Sequence, residues 1–164
     1  MSAPFRTGLG FDSHVFDPSR PLKLGGVEIP GAPGLRGHSD ADALLHAVID
    51  ALFGAAGLPD IGAHFPDSDP RWKNADSAEL LAVAVAEVRA LGWTVGNVDA
   101  TVVAETPKLK PHVAAIRSRI ASLLGCAEGD VSVKGKTNEG MDDIGARRGL
   151  CLHAAVLLNR SGAF

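Results

Sequence analysis

The sequence has too few cysteines, too little positive charge and too short apolar runs for several large classes of protein. Its cysteines are Cys126 and Cys151, which lack C-x-x-C spacing, so we expect buried thiols in a reducing compartment rather than a disulfide framework. The formal net charge of −3 offers no basic surface for nucleic acid. No stretch approaches the roughly 20 consecutive apolar residues of a membrane span, and residues 1–6 lack the apolar core of a secretory signal. We therefore expect a cytoplasmic protein that binds neither nucleic acid nor membranes.

What the sequence does contain favours one folded domain over residues 1–164. Apolar residues make up 46% of the chain and charged residues 21%, which are ordinary values for a globular protein. The length suits a single hydrophobic core. No linker, internal repeat or low-complexity tract divides the chain, so we expect no second domain.

Apolar periodicity and turn residues predict strands and helices in a mixed order. The pattern predicts strands over residues 5–11, 95–105, 131–136 and 150–158, and a short hairpin over 22–29 followed by a loop over 30–34. It predicts three main helices, one with Ser39 as N-cap that ends at Gly54 or Gly57, one from Asp76 to Gly92, and one with Pro111 at its first position that ends at Gly125. We expect a long loop over residues 60–74, and loops of this length in compact domains tend to be functional or mobile. This order favours an α+β fold, a mixed sheet with three main helices packed on one face.

Acidic and histidine side chains at two places have the spacing of metal ligands. Asp12 and His14 are two apart on a predicted strand, so they share a face, and both side-chain types bind zinc. A D-x-H triplet alone is usually a surface pair. His46 on the first helix supplies a third ligand and leaves one position open, as in catalytic zinc sites. Asp42 or Asp50, one turn to either side of His46, would orient the His46 ring. The alternative for Asp42 is that its negative charge stabilises the helix N-terminus.

Two further segments are candidates for binding an anionic, hydroxyl-bearing ligand. His38 and Ser39 stand before the first helix, whose N-terminus favours anions, although Ser39 would cap that helix in any case. The acidic loop over residues 60–69 interleaves Ile61 and Phe65 with carboxylates. That pattern indicates a loop packed over a ligand, whereas acidic loops alone are usually solvated turns.

The run Lys-Gly-Lys-Thr-Asn-Glu-Gly over residues 134–140 follows a predicted strand. It lacks the spacing of a P-loop, but its composition fits a diphosphate with bound Mg²⁺. Lys136 and Thr137 would contact phosphate oxygens, and Glu139 would bind the metal. A glycine-rich polar turn is the alternative interpretation.

Taken in order, these segments resemble the 2-C-methyl-D-erythritol 2,4-cyclodiphosphate synthase family. The matching segments are Gly10-Phe11-Asp12-Ser13-His14, Leu24-Gly25-Gly26-Val27-Glu28-Ile29-Pro30, His38-Ser39-Asp40-Ala41-Asp42 with His46, Gly57-Leu58-Pro59-Asp60-Ile61-Gly62, Phe65-Pro66-Asp67-Ser68-Asp69, Gly96-Asn97-Val98-Asp99, Pro107-Lys108, and Thr137 with Glu139. Any one of them could arise by chance, whereas the ordered set spans nearly the whole chain. Residues 141–149 depart from a common family form, in which an arginine faces a cavity on the threefold axis.

The resemblance implies a homotrimer of α+β subunits with active sites between neighbouring subunits. It implies an enzyme that converts CDP-methylerythritol 2-phosphate into the cyclic diphosphate and CMP. By position, Asp12, His14 and His46 would bind Zn²⁺, Glu139 would hold Mg²⁺ or Mn²⁺ on the cytidine diphosphate, and His38 and Thr137 would be catalytic. The substrate-binding residues would be Ser39, Asp60, Gly62, Phe65, Pro66, Asp67, Ser68, Asp69, Ala104, Pro107, Lys108 and Lys136.

Two other functions remain open on the sequence. One is a zinc-dependent phosphoesterase that uses water instead of the substrate's own 2-phosphate as nucleophile. The other is a non-catalytic trimer whose metal only stabilises the fold. Because an internal phosphate nucleophile leaves little covalent work to the protein, the lack of an activated serine or cysteine agrees with the synthase.

Overall fold

The computed structural model describes residues 3–161, which form one five-stranded sheet with helices. The strands are β1 (Phe5–Leu24), β2 (Val27–Leu35), β3 (Trp93–Val103), β4 (Val131–Lys136) and β5 (Gly149–Arg160). Their order across the sheet is β2-β1-β5-β3-β4. Strands β3 and β4 pair in parallel, whereas the other neighbours pair antiparallel. The predicted mixed sheet is therefore confirmed.

Five helices accompany the sheet, and the three longest are those predicted from the sequence. The helices are α1 (Ala43–Ala56), α2 (Ile61–His64), α3 (Ser77–Ala90), α4 (Val113–Leu124) and α5 (Asp142–Gly145), with 3₁₀ turns over Pro70–Trp72, Lys110–His112 and Glu128–Asp130. The α+β class is thus confirmed. Among residues 3–161, no helix combines the length and the apolar character that crossing a bilayer requires.

The long helices pack on one face of the sheet, where the strands bury alternate side chains. On β5 the even-numbered positions from Leu150 to Leu158 are buried, as the period of two requires. Helix α1 lies directly on β1, because glycine occupies the contact positions. A Cβ atom at Gly8 or Gly10 would lie 1.9 Å from a backbone oxygen of α1. The backbones of strand and helix therefore touch without side chains between them.

The opposite face of the sheet carries apolar side chains that no part of residues 3–161 covers. On β1 the exposed fractions are 55% for Phe5, 72% for Leu9, 53% for Phe11 and 53% for Val15. These odd-numbered residues alternate with the positions that face α1. Contiguous exposed apolar surface of this kind marks an interaction site.

Several boundaries were predicted wrongly in the first half of the chain. Strand β1 extends to Leu24 because it leaves β5 after Val15 and pairs with β2 instead. Residues 30–34, predicted as a loop, lie within β2. The predicted long loop over 60–74 contains helix α2 and the 3₁₀ turn at Pro70–Trp72.

The helix ends were predicted better than the strand ends, with two exceptions, Pro111 and Ser39. Pro111, predicted at the first position of the third helix, lies in the 3₁₀ turn before α4, which begins at Val113. Gly57 and Gly125 end α1 and α4 in the left-handed conformation, and Asp76 is the N-cap of α3. Ser39 is not the N-cap of α1. That position belongs to Asp42, whose buried carboxylate accepts the backbone N–H of Leu45 and also ties α1 to the β1–β2 turn.

Candidate active site

Three of the predicted metal ligands meet at one point between β1 and α1. Asp12 and His14 are on β1, and His46 is on the first half of α1. One ligand atom from each lies within 4.8 Å of the other two. Asp12 Oδ2 is 3.0 Å from His14 Nε2 and 3.1 Å from His46 Nδ1. The close backbone contact of β1 with α1 produces this convergence.

The hydrogen bonds around His14 show which of its nitrogens is free to bind a metal. His14 Nδ1 lies 2.7 Å from the carbonyl oxygen of Arg36, which can only accept, so Nδ1 carries a proton. In the neutral ring, the lone pair on Nε2 then faces the carboxylate of Asp12. Two acceptors at this distance favour a proton or a cation between them. Two imidazole nitrogens and one carboxylate oxygen are a donor set that fits Zn²⁺.

Without a metal, close contacts within the cluster shift the pKa values of Asp12 and His14. Burial opposes ionisation of Asp12, but hydrogen bonds to His14 and His46 and their charges outweigh it and lower its pKa from 3.8 to about 2. The hydrogen bond to Asp12 raises the pKa of His14 above 6.5, against the opposing effect of burial. Because its folded pKa is raised, His14 stabilises the metal-free fold below pH 6.5 and loses this contribution as pH rises through the folded pKa.

Zinc affinity is expected to fall in acid because a proton and the metal compete for Nε2 of His14. The raised pKa of His14 places this competition above pH 6.5. Above that pKa the affinity should be at its plateau, and below it the affinity should fall about tenfold per pH unit for one displaced proton. Calorimetric titration of metal-free protein with Zn²⁺ across about pH 6 to 8 measures this. A flat profile would contradict the assignment of His14 as a ligand.

A cavity of about 300 Å³ opens beside the three ligands. Of the residues predicted to bind substrate or act in catalysis, it is lined by His38, Ser39, Gly62, Phe65 and Asp67. The buried Nε2 of His38 has no hydrogen-bond partner within residues 3–161. An unsatisfied buried group is costly, so this nitrogen is suited to a ligand oxygen.

A second cavity, of about 490 Å³, lies along β3 and β4. Its lining includes the other predicted nucleotide and phosphate residues, namely Ala104, Pro107, Lys108, Lys136 and Thr137. Thr137 Oγ1 donates to Glu139 at 2.7 Å, so the predicted Mg²⁺ ligand lies at the edge of this cavity. Four lysines, two of them the predicted Lys108 and Lys136, make the lining positive and suited to a nucleotide diphosphate.

The two cavities of one chain are separate parts of the surface. Asp12 pairs with Leu152, Leu152 with Val102, and Val102 with Gly135. Three strand spacings put Asp12 and Gly135 about 14 Å apart. Their linings, as far as the structure describes them, have no residue in common. The candidate metal ligands and the candidate nucleotide residues of one chain therefore do not form a single cleft.

Four of the predicted substrate residues are not among those lining either cavity. Asp60 accepts the N–H of Ala63 as N-cap of α2. Asp69 caps the following 3₁₀ turn and pairs with Arg71. Pro66 and Ser68 lie in the same segment, beside the lining residues.

The residues that touch His46 differ from those predicted. Asp42 binds backbone N–H groups, and Asp50 accepts from the N–H of Ile61, so neither hydrogen-bonds the His46 ring. Burial raises the pKa of Asp50. Instead, His46 Nε2 lies 2.9 Å from Ser77 Oγ. The spacing along one helix could not identify Ser77, which is on another helix.

Other residues near the cavities carried no clear sequence signal. Trp72 lines the metal cavity, and its buried Nε1 has no partner within residues 3–161. Glu105 accepts the N–H groups of Asn138 and Gly140 and thereby holds the turn that carries Glu139. Glu139 has a positive φ of 51°. The only sequence signal for Glu105 is its position directly before Thr106-Pro107, at the end of the strand predicted over residues 95–105.

Comparison with known proteins gives one consistent result. The YgbB family matches residues 5–159. The 2-C-methyl-D-erythritol 2,4-cyclodiphosphate synthase of Bordetella petrii is 53% identical over 161 residues, which cover 98% of this chain and 99% of the relative. The IspF–CDP complex of Plasmodium falciparum has a TM-score of 0.84 at 34% identity and covers 98% of this chain and 100% of that one. The bifunctional IspDF of Campylobacter jejuni has a TM-score of 0.93 at 44% identity over 97% of this chain, which spans 43% of that protein.

Proposed function

The chain belongs to the YgbB family, and we infer that it is a metal-dependent enzyme of isoprenoid biosynthesis that forms 2-C-methyl-D-erythritol 2,4-cyclodiphosphate. The substrate is 4-diphosphocytidyl-2-C-methyl-D-erythritol 2-phosphate. An oxygen of its 2-phosphate attacks the β-phosphorus, and the bond from that phosphorus to the bridging oxygen breaks. CMP leaves with the bridging oxygen, and the ring closes without any bond to the protein.

The observation that carries this function is the convergence of Asp12, His14 and His46 at the mouth of a cavity. A surface ion pair would not aim two imidazole nitrogens and a carboxylate oxygen at one point. We propose that these three residues hold Zn²⁺ and that Glu139 holds Mg²⁺ or Mn²⁺ on the diphosphate. Bound there, the ions supply Lewis-acid polarisation and charge neutralisation at phosphate oxygens.

The remaining residues bind and orient the substrate. His38 is placed to donate from Nε2 to a phosphate oxygen, since this nitrogen is buried and unpaired within the described residues. Ser39 borders the same phosphate position, and Thr137 would turn its hydroxyl from Glu139 to phosphate. The methylerythritol part is held by the segment with Asp60, Gly62, Phe65, Pro66, Asp67, Ser68 and Asp69. The edge-to-face contact of Phe65 with Trp72 would shield that side from water.

The cytidine part occupies the cavity along β3 and β4. Ala104, Pro107 and Lys108 would line the cytosine pocket, and Lys136 would contact the phosphates. A pocket with apolar walls and a few charged groups is suited to a base joined to a diphosphate. The CDP complex of the Plasmodium falciparum relative supports this assignment.

We further propose that the enzyme is a homotrimer with active sites shared between subunits. Phe5, Leu9 and Phe11 on the uncovered sheet face would pack against the same face of two neighbours. The two cavities of one chain are about three strand spacings apart and do not form one cleft. In the trimer, the nucleotide cavity of a neighbouring subunit would therefore lie beside the metal ligands. Residues 1–164 would act as one domain in the cytoplasm.

Ring closure is tested by following the reaction with ³¹P NMR. The expected products are CMP and a cyclic diphosphate, because the nucleophile belongs to the substrate. A zinc-dependent phosphoesterase would use water and give linear products, and their appearance would overturn the proposed mechanism. Treatment of the enzyme with a chelator should stop the reaction, and added Zn²⁺ with Mg²⁺ should restore it.

A further inference from the structure

We propose that Ser77 and Asp40 are positioning residues that fix the tautomer of His46 and so aim its Nδ1 lone pair at the metal site. This inference deepens the proposed function, because it takes Asp12, His14 and His46 as the metal ligands. It concerns residues outside the ligand set, on elements that do not touch the metal position. Its basis is the direction of two successive hydrogen bonds, from His46 to Ser77 and from Ser77 to Asp40.

The first hydrogen bond joins two helices. His46 projects from α1, and its Nε2 lies 2.9 Å from the hydroxyl oxygen of Ser77. Ser77 is the first residue of α3 and is fully buried. On the other side of the ring, Nδ1 lies 3.1 Å from Asp12 Oδ2. Each ring nitrogen therefore has a defined partner, and a neutral ring has only one proton to share between them.

The second hydrogen bond sets the direction of the first. Ser77 Oγ donates to Asp40 Oδ1. Burial opposes ionisation of Asp40, but the hydrogen bonds from Ser77 and Asp42 and the charge of Lys23 lower its pKa. An ionised carboxylate can only accept, so the single hydroxyl proton of Ser77 points at Asp40. The oxygen of Ser77 can then only accept from His46, which places the ring proton on Nε2.

Both carboxylate oxygens of Asp40 have further partners, with Lys23 on the oxygen away from Ser77 and the N–H of Asp42 on the oxygen that Ser77 also contacts. Lys23 Nζ is 3.3 Å from Asp40 Oδ2, and the backbone N–H of Asp42 donates to Asp40 Oδ1 at 3.2 Å. Lys23 also lies 3.9 Å from Asp76. The carboxylate that orients Ser77 is thus fixed in position by partners from β1 and from the segment before α1.

The remaining neighbour of His46 Nε2 does not decide the tautomer. Ser39 Oγ lies 3.2 Å from this nitrogen and accepts the N–H of Ala41. Its own proton is free, so Ser39 can donate to His46 or accept from it. Without Ser77, the neutral ring would gain by donating from Nδ1 to the carboxylate of Asp12. That proton would occupy the lone pair that a metal needs.

Replacing Ser77 by alanine is expected to weaken Zn²⁺ binding by about 10- to 100-fold, the range for residues that orient a metal-bound histidine. In metal-free wild-type protein whose His46 ring is uncharged, ¹⁵N–¹H NMR should show the proton of His46 on Nε2. In the variant it should move to Nδ1. Calorimetric titration with Zn²⁺ gives the affinity.

Two further variants separate positioning from stability. Val88→Ala opens a cavity under the same helix about three turns from Ser77, so it should lower Tm but leave Zn²⁺ affinity and tautomer unchanged. Asp40→Asn replaces the acceptor by a group that can donate to Ser77. It should shift the tautomer as Ser77→Ala does, and it supplies the test if that variant fails to fold.

The outcomes distinguish this inference from the proposed function. If wild-type protein binds Zn²⁺ but Ser77→Ala and Asp40→Asn bind it equally well, the positioning role is wrong. A wild-type His46 with its proton on Nδ1 would also overturn it. If wild-type protein binds no Zn²⁺ while the His46 proton is on Nε2, the proposed metal site fails instead.

Discussion

Replacing His46 by alanine is expected to abolish zinc binding and to lower kcat/KM for cyclisation by roughly 10³-fold or more, since a Lewis-acid ion contributes several kcal/mol to the transition state. The variant removes one of three ligands from the point where Asp12, His14 and His46 converge. Alanine is the strongest helix former, so α1 should persist. Metal analysis after dialysis and ³¹P NMR rates measure the two losses.

A histidine outside the site provides the control for that variant. His112 lies in the 3₁₀ turn before α4 and lines neither cavity. Its replacement by alanine should leave metal content and rate unchanged. Retention of full cyclisation by His46→Ala would contradict the metal assignment. Wild-type protein that gains Tm from zinc but turns over no substrate would instead favour the non-catalytic trimer.

Replacing Leu9 by aspartate is expected to convert a trimer into monomers and to remove activity with it. Leu9 is 72% exposed in the isolated chain, so the substitution should cost the subunit fold little. At a threefold interface it would bury a charge in each subunit, at a cost of several kcal/mol per ion. Loss of the buried leucine side chain would further weaken association by about 1.5–3 kcal/mol per subunit. Sedimentation analysis and circular dichroism separate loss of assembly from loss of folding.

The matched control for this variant is on the helical side of the molecule. Val83 on α3 is 39% exposed and lies away from the open sheet face. Val83→Asp should remain trimeric and active. A Leu9→Asp protein that stays trimeric would show that the uncovered face is not the interface. A monomer that keeps full activity would show that one chain completes the site by itself.

Much of the fold was predictable where local signals and tertiary packing agree. The prediction for β4 matched Val131–Lys136, and Gly57, Asp76 and Gly125 marked helix ends correctly. In these places one residue type satisfies a single backbone requirement, either a left-handed φ or an acceptor for a free N–H. The convergence of Asp12, His14 and His46 was predictable for a similar reason, because strand and helix periodicity put them on faces that meet.

The errors have a common physical cause in contacts between distant segments. Ser39 has the composition of a cap, but Asp42 takes that position because it also binds the N–H groups of Gly25 and Gly26. The length of β1 depends on an exchange of partner strands after Val15. Ser77 reaches His46 from 31 positions away. No periodicity along one element contains such information.

The contact of β1 with α1 through Gly8 and Gly10 has a consequence for evolution and for engineering. A Cβ at Gly10 would lie 1.9 Å from the backbone oxygen of Ala47, next to His46. The separation of the two ligand-bearing elements is thus set by main-chain atoms, which substitutions elsewhere leave unchanged. Core side chains on the remaining helices can be substituted during evolution, or redesigned for heat resistance, without changing the distance between the ligands. By the same reasoning, a single methyl group at Gly10 would separate strand from helix and disable a site that it never touches.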